Sequence, residues 1–304
     1  MRRCFVHVGT HKTGTTSVQA FLAMNHRALL SAGILAPLTG RPSHLPDYPN
    51  FGHHNIAWEL NEDPRFRPES GTLNELVSEI ARVASHTVVL SSEDFEYLHA
   101  KPAALHELAR ALCDIGYGIE FIAYLRPQGE YAQSLYLTLL LFGLNLSFSD
   151  FLDIVLQRGA FTFSERWIFQ FDYTKLLDAL ADVAGPSGMS VRRYRQDAEA
   201  SLLLAEFASI VQTPSGKAAF DQFNLPDRMN RRISLETACE LLVDNQDPSH
   251  HREIREAASP GSFWKAEDGA RLLARFSAEN DDLAKKYALH LPVLGSAFSN
   301  ERAP

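Results

Sequence analysis

The run from Cys4 to Leu22 constrains this chain more than any other stretch. Cys4-Phe5-Val6-His7-Val8 is short, apolar and β-branched, and it predicts a buried strand. Gly9-Thr10-His11-Lys12-Thr13-Gly14-Thr15-Thr16 follows without a spacer, and Val18, Phe21, Leu22 and Leu29 then recur at helical spacing. Strand, glycine-bounded loop and helix, in that order, predict a cradle for a phosphate group. Loop amides converge on the anion, and the helix N-terminus adds about half a positive charge. The competing reading is an ordinary βα turn that happens to carry a lysine.

The details of the loop narrow the choice. A Walker A loop reads G-x-x-x-x-G-K-[ST], with lysine directly after the second glycine. Gly9 and Gly14 have that spacing, but Thr15 stands where the lysine belongs, and the loop's lysine is Lys12, two positions before Gly14. Hydroxyls replace the ATPase lysine, and a cation has moved to the crown of the loop. The stretch HVGTHKTGTTSVQAFL resembles the 5′-phosphosulfate loop of sulfotransferases that use 3′-phosphoadenosine-5′-phosphosulfate. Their signature is a lysine, a small polar residue, glycine and two hydroxyl residues at the head of a helix. The resemblance implies that His11, Lys12, Thr13, Gly14, Thr15 and Thr16 bind this donor.

Composition bounds the partners. The 304 residues carry a net charge of −8 and no basic tract, which speaks against a nucleic-acid partner and weakly against a polyanionic acceptor. Cys4, Cys113 and Cys239 are far apart, and no C-x-x-C occurs, so neither a disulfide framework nor a zinc site is expected. The apolar run behind Met1-Arg2-Arg3 is too short for a signal-peptide core. The longest apolar stretch, Leu135 to Leu146, is interrupted by Thr138, Gly143 and Asn145 and falls short of a membrane span. A cytoplasmic location is the simplest expectation.

Further along, Gly33 to Pro37, Thr87 to Leu90, Gly118 to Leu125 and Met189 to Tyr194 read as strands. Thr72 and Glu75 have capping-box spacing, with Leu73, Leu76, Val77 and Ile80 as the buried stripe behind them. Pro102 suits the first position of a helix. An apolar helix is expected from Gln128 to Phe142 and a long one from Glu165 to Ala184. Asn61 to Gly71 reads as a mobile surface loop, and Asn145 to Ser164 as a second loop. The last third reads as helices over Glu199 to Val211, Ser234 to Asn245, Ser249 to Ala258 and Lys265 to Tyr287. Apolar strands alternating with helices predict an α/β fold: a central parallel sheet of about five strands with helices on both faces, P-loop NTPase-like, with added C-terminal helices. A single domain is expected, its helical C-terminal part spanning about 199–304. Ligands of such sheets bind at the carboxyl ends of the strands. Lys12, His53, His54, Glu93 and Arg126 all fall just after strands or in the loops between them.

Sulfuryl transfer builds negative charge on the leaving phosphate, and a fixed ammonium such as Lys12 stabilises that charge in the transition state. The segment from Ile119 to Pro127, leading into a helix with Ser134 and Tyr136, is similar to the family's 3′-phosphate region. The resemblance implies that Arg126 and Ser134, eight residues on, clasp the ribose 3′-phosphate. Arginine suits that task because its planar fork meets phosphate oxygens in pairs; Glu130, one turn on, is its local carboxylate. Asn280, Leu283, Lys285, Lys286 and Tyr287 resemble a C-terminal pattern of bacterial sulfotransferase-like proteins, with the packing of the last helix as its implied task.

The acceptor hydroxyl needs a general base. Glu93 ends the third strand, where some sulfotransferases carry histidine and others glutamate. His53 and His54 lie near the same edge. An imidazole titrates near neutrality without tuning, whereas a carboxylate base needs burial. The expected function is transfer of a sulfuryl group from 3′-phosphoadenosine-5′-phosphosulfate to a hydroxyl of a carbohydrate or small lipid-like acceptor, with no metal. Phe51, Trp58, Phe148, Phe161 and Phe163 are expected to shape the acceptor pocket. The alternatives are an ATP- and magnesium-dependent small-molecule kinase, with Ser91 to Asp94 as its metal-binding strand end, and a module that binds an adenosine bisphosphate without turnover.

Overall fold

The computed structural model describes residues 2–42, 51–195, 200–211, 223–226, 235–245 and 265–291. Five parallel strands form one sheet in the order β2-β3-β1-β4-β7. They are β1 (Arg2–His7), β2 (Ile34–Leu35), β3 (Thr87–Ser91), β4 (Tyr117–Leu125) and β7 (Met189–Arg193). The chain is α/β, and alternation along the strands explains why both faces of the sheet are covered. Cys4, Val6, Val8, Val88, Leu90 and Phe121 join one core with α3 (His54–Asn61), α4 (Leu73–Val83), α5 (Pro102–Asp114) and the Leu176 and Leu180 face of α8 (Tyr173–Ala184). Phe5, Val89, Ile122 and Tyr124 point the other way, against α1 (Thr15–Met24), α2 (His26–Ser31) and α9 (Ala200–Ile210). Each such apolar side chain contributes about 1.5–3 kcal/mol when fully buried.

β1 lies between β3 and β4, with Phe5 opposite Val89 on one side and Glu120 on the other. The chain leaves β1 toward β2 and later returns past it to β4, so the topological switch falls at the carboxyl end of β1. The loop from Gly9 therefore emerges at the centre of the sheet edge. The Thr72–Glu75 capping box forms as expected, with Glu75 N donating to Thr72 Oγ1 and Thr72 N donating to Glu75 Oε2. Pro102 opens α5.

Two compact units account for the described chain: Met1–Leu125 with Lys175–Asn230, and Arg126–Thr174 with Arg231–Pro304. The second contains α6 (Gln128–Leu141), α7 (Phe148–Arg158), an antiparallel hairpin of β5 (Ala160–Ser164) and β6 (Trp167–Gln170), α10 (Leu235–Asp244) and α11 (Ala266–Tyr287). Its core is aromatic, with Tyr131, Phe151 and Phe171 packed ring to ring.

Several expectations need correction. The long helix expected from Glu165 begins only at Tyr173; Trp167, Ile168 and Phe169 are aromatic or β-branched and pair with Ala160–Ser164 instead. Asn145 to Ser164 is no loop: Ser147 caps α7 by accepting from Asp150 N. Asn61 to Gly71 is pinned, because Asp63 grips Arg65 through two oxygens and Asn55 Nδ2 donates to the carbonyls of Arg67 and Gly71. Trp58, Phe148 and Phe161 are core residues rather than pocket walls. The helix expected over Ser249 to Ala258 lies outside the described residues. No helix among the described residues is long and apolar enough to cross a membrane.

Candidate functional site

The loop after β1 is held by the neighbouring strand β4. Val8 N donates to Ile122 O, and Thr10 Oγ1 donates to Tyr124 O, so β4 sets the loop's take-off. Thr13 Oγ1 donates to Thr10 O and closes the crown on itself. Lys12 and Gly14 both adopt left-handed backbone, at φ 68° and 78°. Glycine accepts that conformation freely, whereas lysine held there costs roughly 1–2 kcal/mol, which the surrounding bonds must offset. A Cβ at Gly14 would also lie 2.7 Å from Leu203 Cδ2 and would have to displace that side-chain tip.

Gly14 is also the N-cap of α1, and as a glycine it offers the helix end no side-chain cap. Thr15 Oγ1 is buried without a hydrogen-bond partner, as is His7 Nε2 beneath the loop. An uncapped helix end, close-approach glycines and a stranded hydroxyl donor together fit an anionic phosphate group. They are the groups of this chain that would hold the 5′-phosphate of a nucleotide donor.

The crown is tied to the end of β3 by a network that the local sequence patterns do not reveal. Glu96 Oε2 accepts from both His11 N and His11 Nδ1, at 3.0 and 2.9 Å. His11 Nε2 meets Tyr97 Oη at 3.0 Å, and the two rings stack. Burial opposes a charge on His11, but hydrogen bonds to Asp94 and Glu96 outweigh it and raise its pKa to about 9. Asp94 sits at the centre: it accepts from Trp58 Nε1 at 2.5 Å and lies within 4 Å of His11, His54 and Arg65. Burial alone would raise its pKa; His11, His54 and Arg65 hold it well below the usual carboxylate range.

The three candidate bases differ in access. His53 Nδ1 accepts from Ser91 N and its Nε2 donates to Pro37 O, so both ring nitrogens are engaged. Burial, helped by nearby Arg41, lowers its pKa to about 3. This corrects the expectation for His53, which is a neutral clip between β3 and the Pro37 turn. His54 stacks on Trp58, and its Nδ1 meets Ser92 Oγ at 2.9 Å. Its side chain is 1% exposed, whereas that of Glu93, 4.0 Å away, is 20% exposed. Gln19 on α1 donates to Glu93 Oε2 at 2.8 Å and thereby joins the loop's own helix to the strand-end carboxylate. Gly52 permits this, since a Cβ there would fall 2.5 Å from His54 Nε2 and 2.7 Å from Gln19 Nε2.

No family model matches this chain, and no curated protein matches it. Among solved structures, a sulfotransferase from Alicyclobacillus acidocaldarius is similar at 16% identity and a TM-score of 0.43, over 83% of this chain and 99% of that one.

Arg126 and Ser134 belong to the second unit. Arg126 is buried; its Nε lies 3.4 Å from Glu130 Oε2, and its carbonyl accepts from Tyr173 Oη. Glu130 and Ser134 are one turn apart on α6, so they share a helix face. Asn280 and Gln128 exchange reciprocal side-chain hydrogen bonds, and Leu283 is buried, so the C-terminal pattern packs the last helix of that unit. Lys285 instead pairs with Asp282 at the surface.

Sequence reasoning passed over His7, Gln19, Glu96 and Tyr97, and named Asp94 only within the Ser91–Asp94 strand end of the kinase alternative. Two signals were available: a histidine inside an apolar strand, and three carboxylates crowded into Glu93-Asp94-Phe95-Glu96 behind a strand end.

Proposed function

We propose that the chain is a sulfotransferase acting on a hydroxyl of a carbohydrate or small lipid-like acceptor. The observation that carries this reading is the loop itself: a crown lysine, hydroxyls in place of the Walker lysine, and an uncapped helix end with a partnerless buried Thr15 Oγ1. When bound, 3′-phosphoadenosine-5′-phosphosulfate supplies the sulfuryl group and a phosphate leaving group. Thr13, Gly14, Thr15 and Thr16 bind its 5′-phosphate through backbone and hydroxyl donors, and His11 sets the crown. Lys12 places an ammonium where charge accumulates on the phosphate side of the breaking bond. Arg126 and Ser134 are assigned to the 3′-phosphate on the resemblance of their segment.

Glu93 is the preferred base because its carboxylate combines partial exposure with orientation by Gln19. It would take the acceptor's hydroxyl proton at the oxygen not bonded to Gln19. His54 Nδ1 lies 4.0 Å from Glu93 Oε2. The Asp94 carboxylate expected of the kinase alternative is already surrounded by His11, His54, Arg65 and the Trp58 indole.

Thermal denaturation with two ligands tests the reading. Adenosine 3′,5′-bisphosphate at 100 times its dissociation constant should add about 2.7 kcal/mol without any metal. A shift given only by ATP with magnesium would overturn the sulfotransferase reading in favour of the kinase. For the base, Glu93→Gln is expected to slow single-turnover transfer by about 10²–10⁴-fold. A larger loss in His54→Asn would move the assignment to the histidine.

A further inference from the structure

Two buried polar atoms without partners face one spot. A Cβ built on Gly9 would lie 2.4 Å from Thr15 Oγ1 and 3.2 Å from His7 Nε2, with Thr13 Oγ1 at 3.0 Å. Thr13 Oγ1 is engaged with Thr10 O, but Thr15 Oγ1 and His7 Nε2 have no hydrogen-bond partner. A buried polar group left unmet is costly, so two at one place call for a role beyond the free protein.

The other nitrogen of His7 determines what Nε2 can do. His7 Nδ1 lies 2.8 Å from Ser91 Oγ. If the Ser91 hydroxyl donates to Nδ1, both groups are satisfied. The reverse arrangement would leave the hydroxyl hydrogen buried with no acceptor among the described residues. Burial lowers the His7 pKa to about 3, so the ring is neutral and carries one hydrogen. That hydrogen is on Nε2, and the atom facing Gly9 is a donor. Edge-on contacts with Tyr124 and Phe207, at 5.7 and 5.5 Å between ring centres, fix the ring's direction.

A hydroxyl that donates to an anion becomes a stronger acceptor, because hydrogen bonds in a chain polarise one another. We propose that His7 is a positioning residue for the loop's anion: its Nε2–H donates to Thr15 Oγ1 when the Thr15 hydroxyl donates to a bound phosphate oxygen. Strand β1 then backs the anion through a single side chain, whose tautomer is set by Ser91 on β3. Gly9 has no side chain because any Cβ would separate the two atoms. This rests on the phosphate-binding reading of the loop but not on sulfuryl transfer.

The test is calorimetric titration of adenosine 3′,5′-bisphosphate, and of ATP with magnesium, into wild type and variants. His7→Asn keeps a polar atom near Ser91 and loses the reach of Nε2, and should weaken binding about tenfold, the size of one hydrogen bond. His7→Gln, whose amide reaches the Nε2 position, should restore most of that loss. His7→Asn combined with Thr15→Val should bind no worse than Thr15→Val alone, a coupling that general destabilisation would not produce. If His7→Asn does not fold, His7→Phe takes its place in the same cycle. Equal binding by wild type and the His7 variant, or additive losses in the cycle, would overturn the inference while leaving the loop's role intact. Weakened ATP binding in the variant, with no bisphosphate binding by wild type, would support the inference and remove the sulfotransferase reading. Binding of neither nucleotide by wild type would remove both.

Discussion

The loop at the end of β1 and the segment at the end of β3 are neighbours built on opposite principles. At the end of β3 the buried polar groups are satisfied: Asp94 by Trp58, Ser92, His11, His54 and Arg65, and His53 by Ser91 and Pro37. At the end of β1 the helix is uncapped, and His7 Nε2 and Thr15 Oγ1 have no partner. The difference separates scaffold from site. Paired buried groups hold a shape, whereas unpaired ones are tolerated where a ligand completes them. His11 joins the two, since it is a loop residue whose ring and amide are held by Glu96.

The largest expected effect lies on the paired side. Asp94→Ala would leave partly buried His11 and Arg65 and the buried His54 and Trp58 indole beside an empty place, and should cost about 3 kcal/mol in urea unfolding, the low end for broken buried pairs. A loss under about 1 kcal/mol would mean that the cluster is not the scaffold its pairing implies. At the crown of the loop, Lys12→Ala should reduce transfer by about 10²–10³-fold while the protein stays folded. Normal turnover in that variant would remove the crown lysine from the chemistry.

A smaller effect concerns pH. The folded pKa of His11, about 9, is above its ordinary value of 6.5. The native state then binds more protons than the unfolded state between those two values, and stability falls as pH rises through that window. The contribution is whole below about 6.5 and lost above about 9. His7 and His53, with pKa values lowered to about 3, act in the acid range and leave this window flat. Unfolding measured between about pH 6.5 and 9 should therefore lose most of its slope in His11→Gln, whereas the Cys4 thiol, raised by burial, adds a fall at higher pH in both proteins. A slope unchanged in that variant would assign it to another group.

The smallest effect is the sharpest contrast. Thr15→Val removes a hydroxyl with no partner and should leave the free protein as stable as before or more stable by about 1 kcal/mol, while bisphosphate affinity falls. Destabilisation by the same change would show that this hydroxyl belongs to the scaffold.

Much of the fold was legible because its signals are local. Five apolar segments gave the five strands of the sheet, the Thr72–Glu75 spacing gave its cap, and Pro102 gave its helix start. The hairpin at Ala160–Gln170 was missed because a strand needs its partner. Trp167-Ile168-Phe169 has no fixed conformation until Phe161 lies opposite Phe169. His53 was misjudged for a similar reason: a histidine's chemistry depends on what meets its two nitrogens, and here those are a carbonyl and an amide from other segments.

Sequence by itself determined the strand, the glycine-bounded loop and the helix that follows, because backbone preference and apolar spacing act over a few residues. It also determined that a cation stands on the crown and hydroxyls at the helix head. Tertiary structure alone decided which polar groups are complete and which are left open. Glu96 reaches His11 across 85 positions, and Ser91 fixes the ring of His7 across 84. Whether a buried donor is satisfied depends on what other segments bring to it, and only the folded chain fixes that.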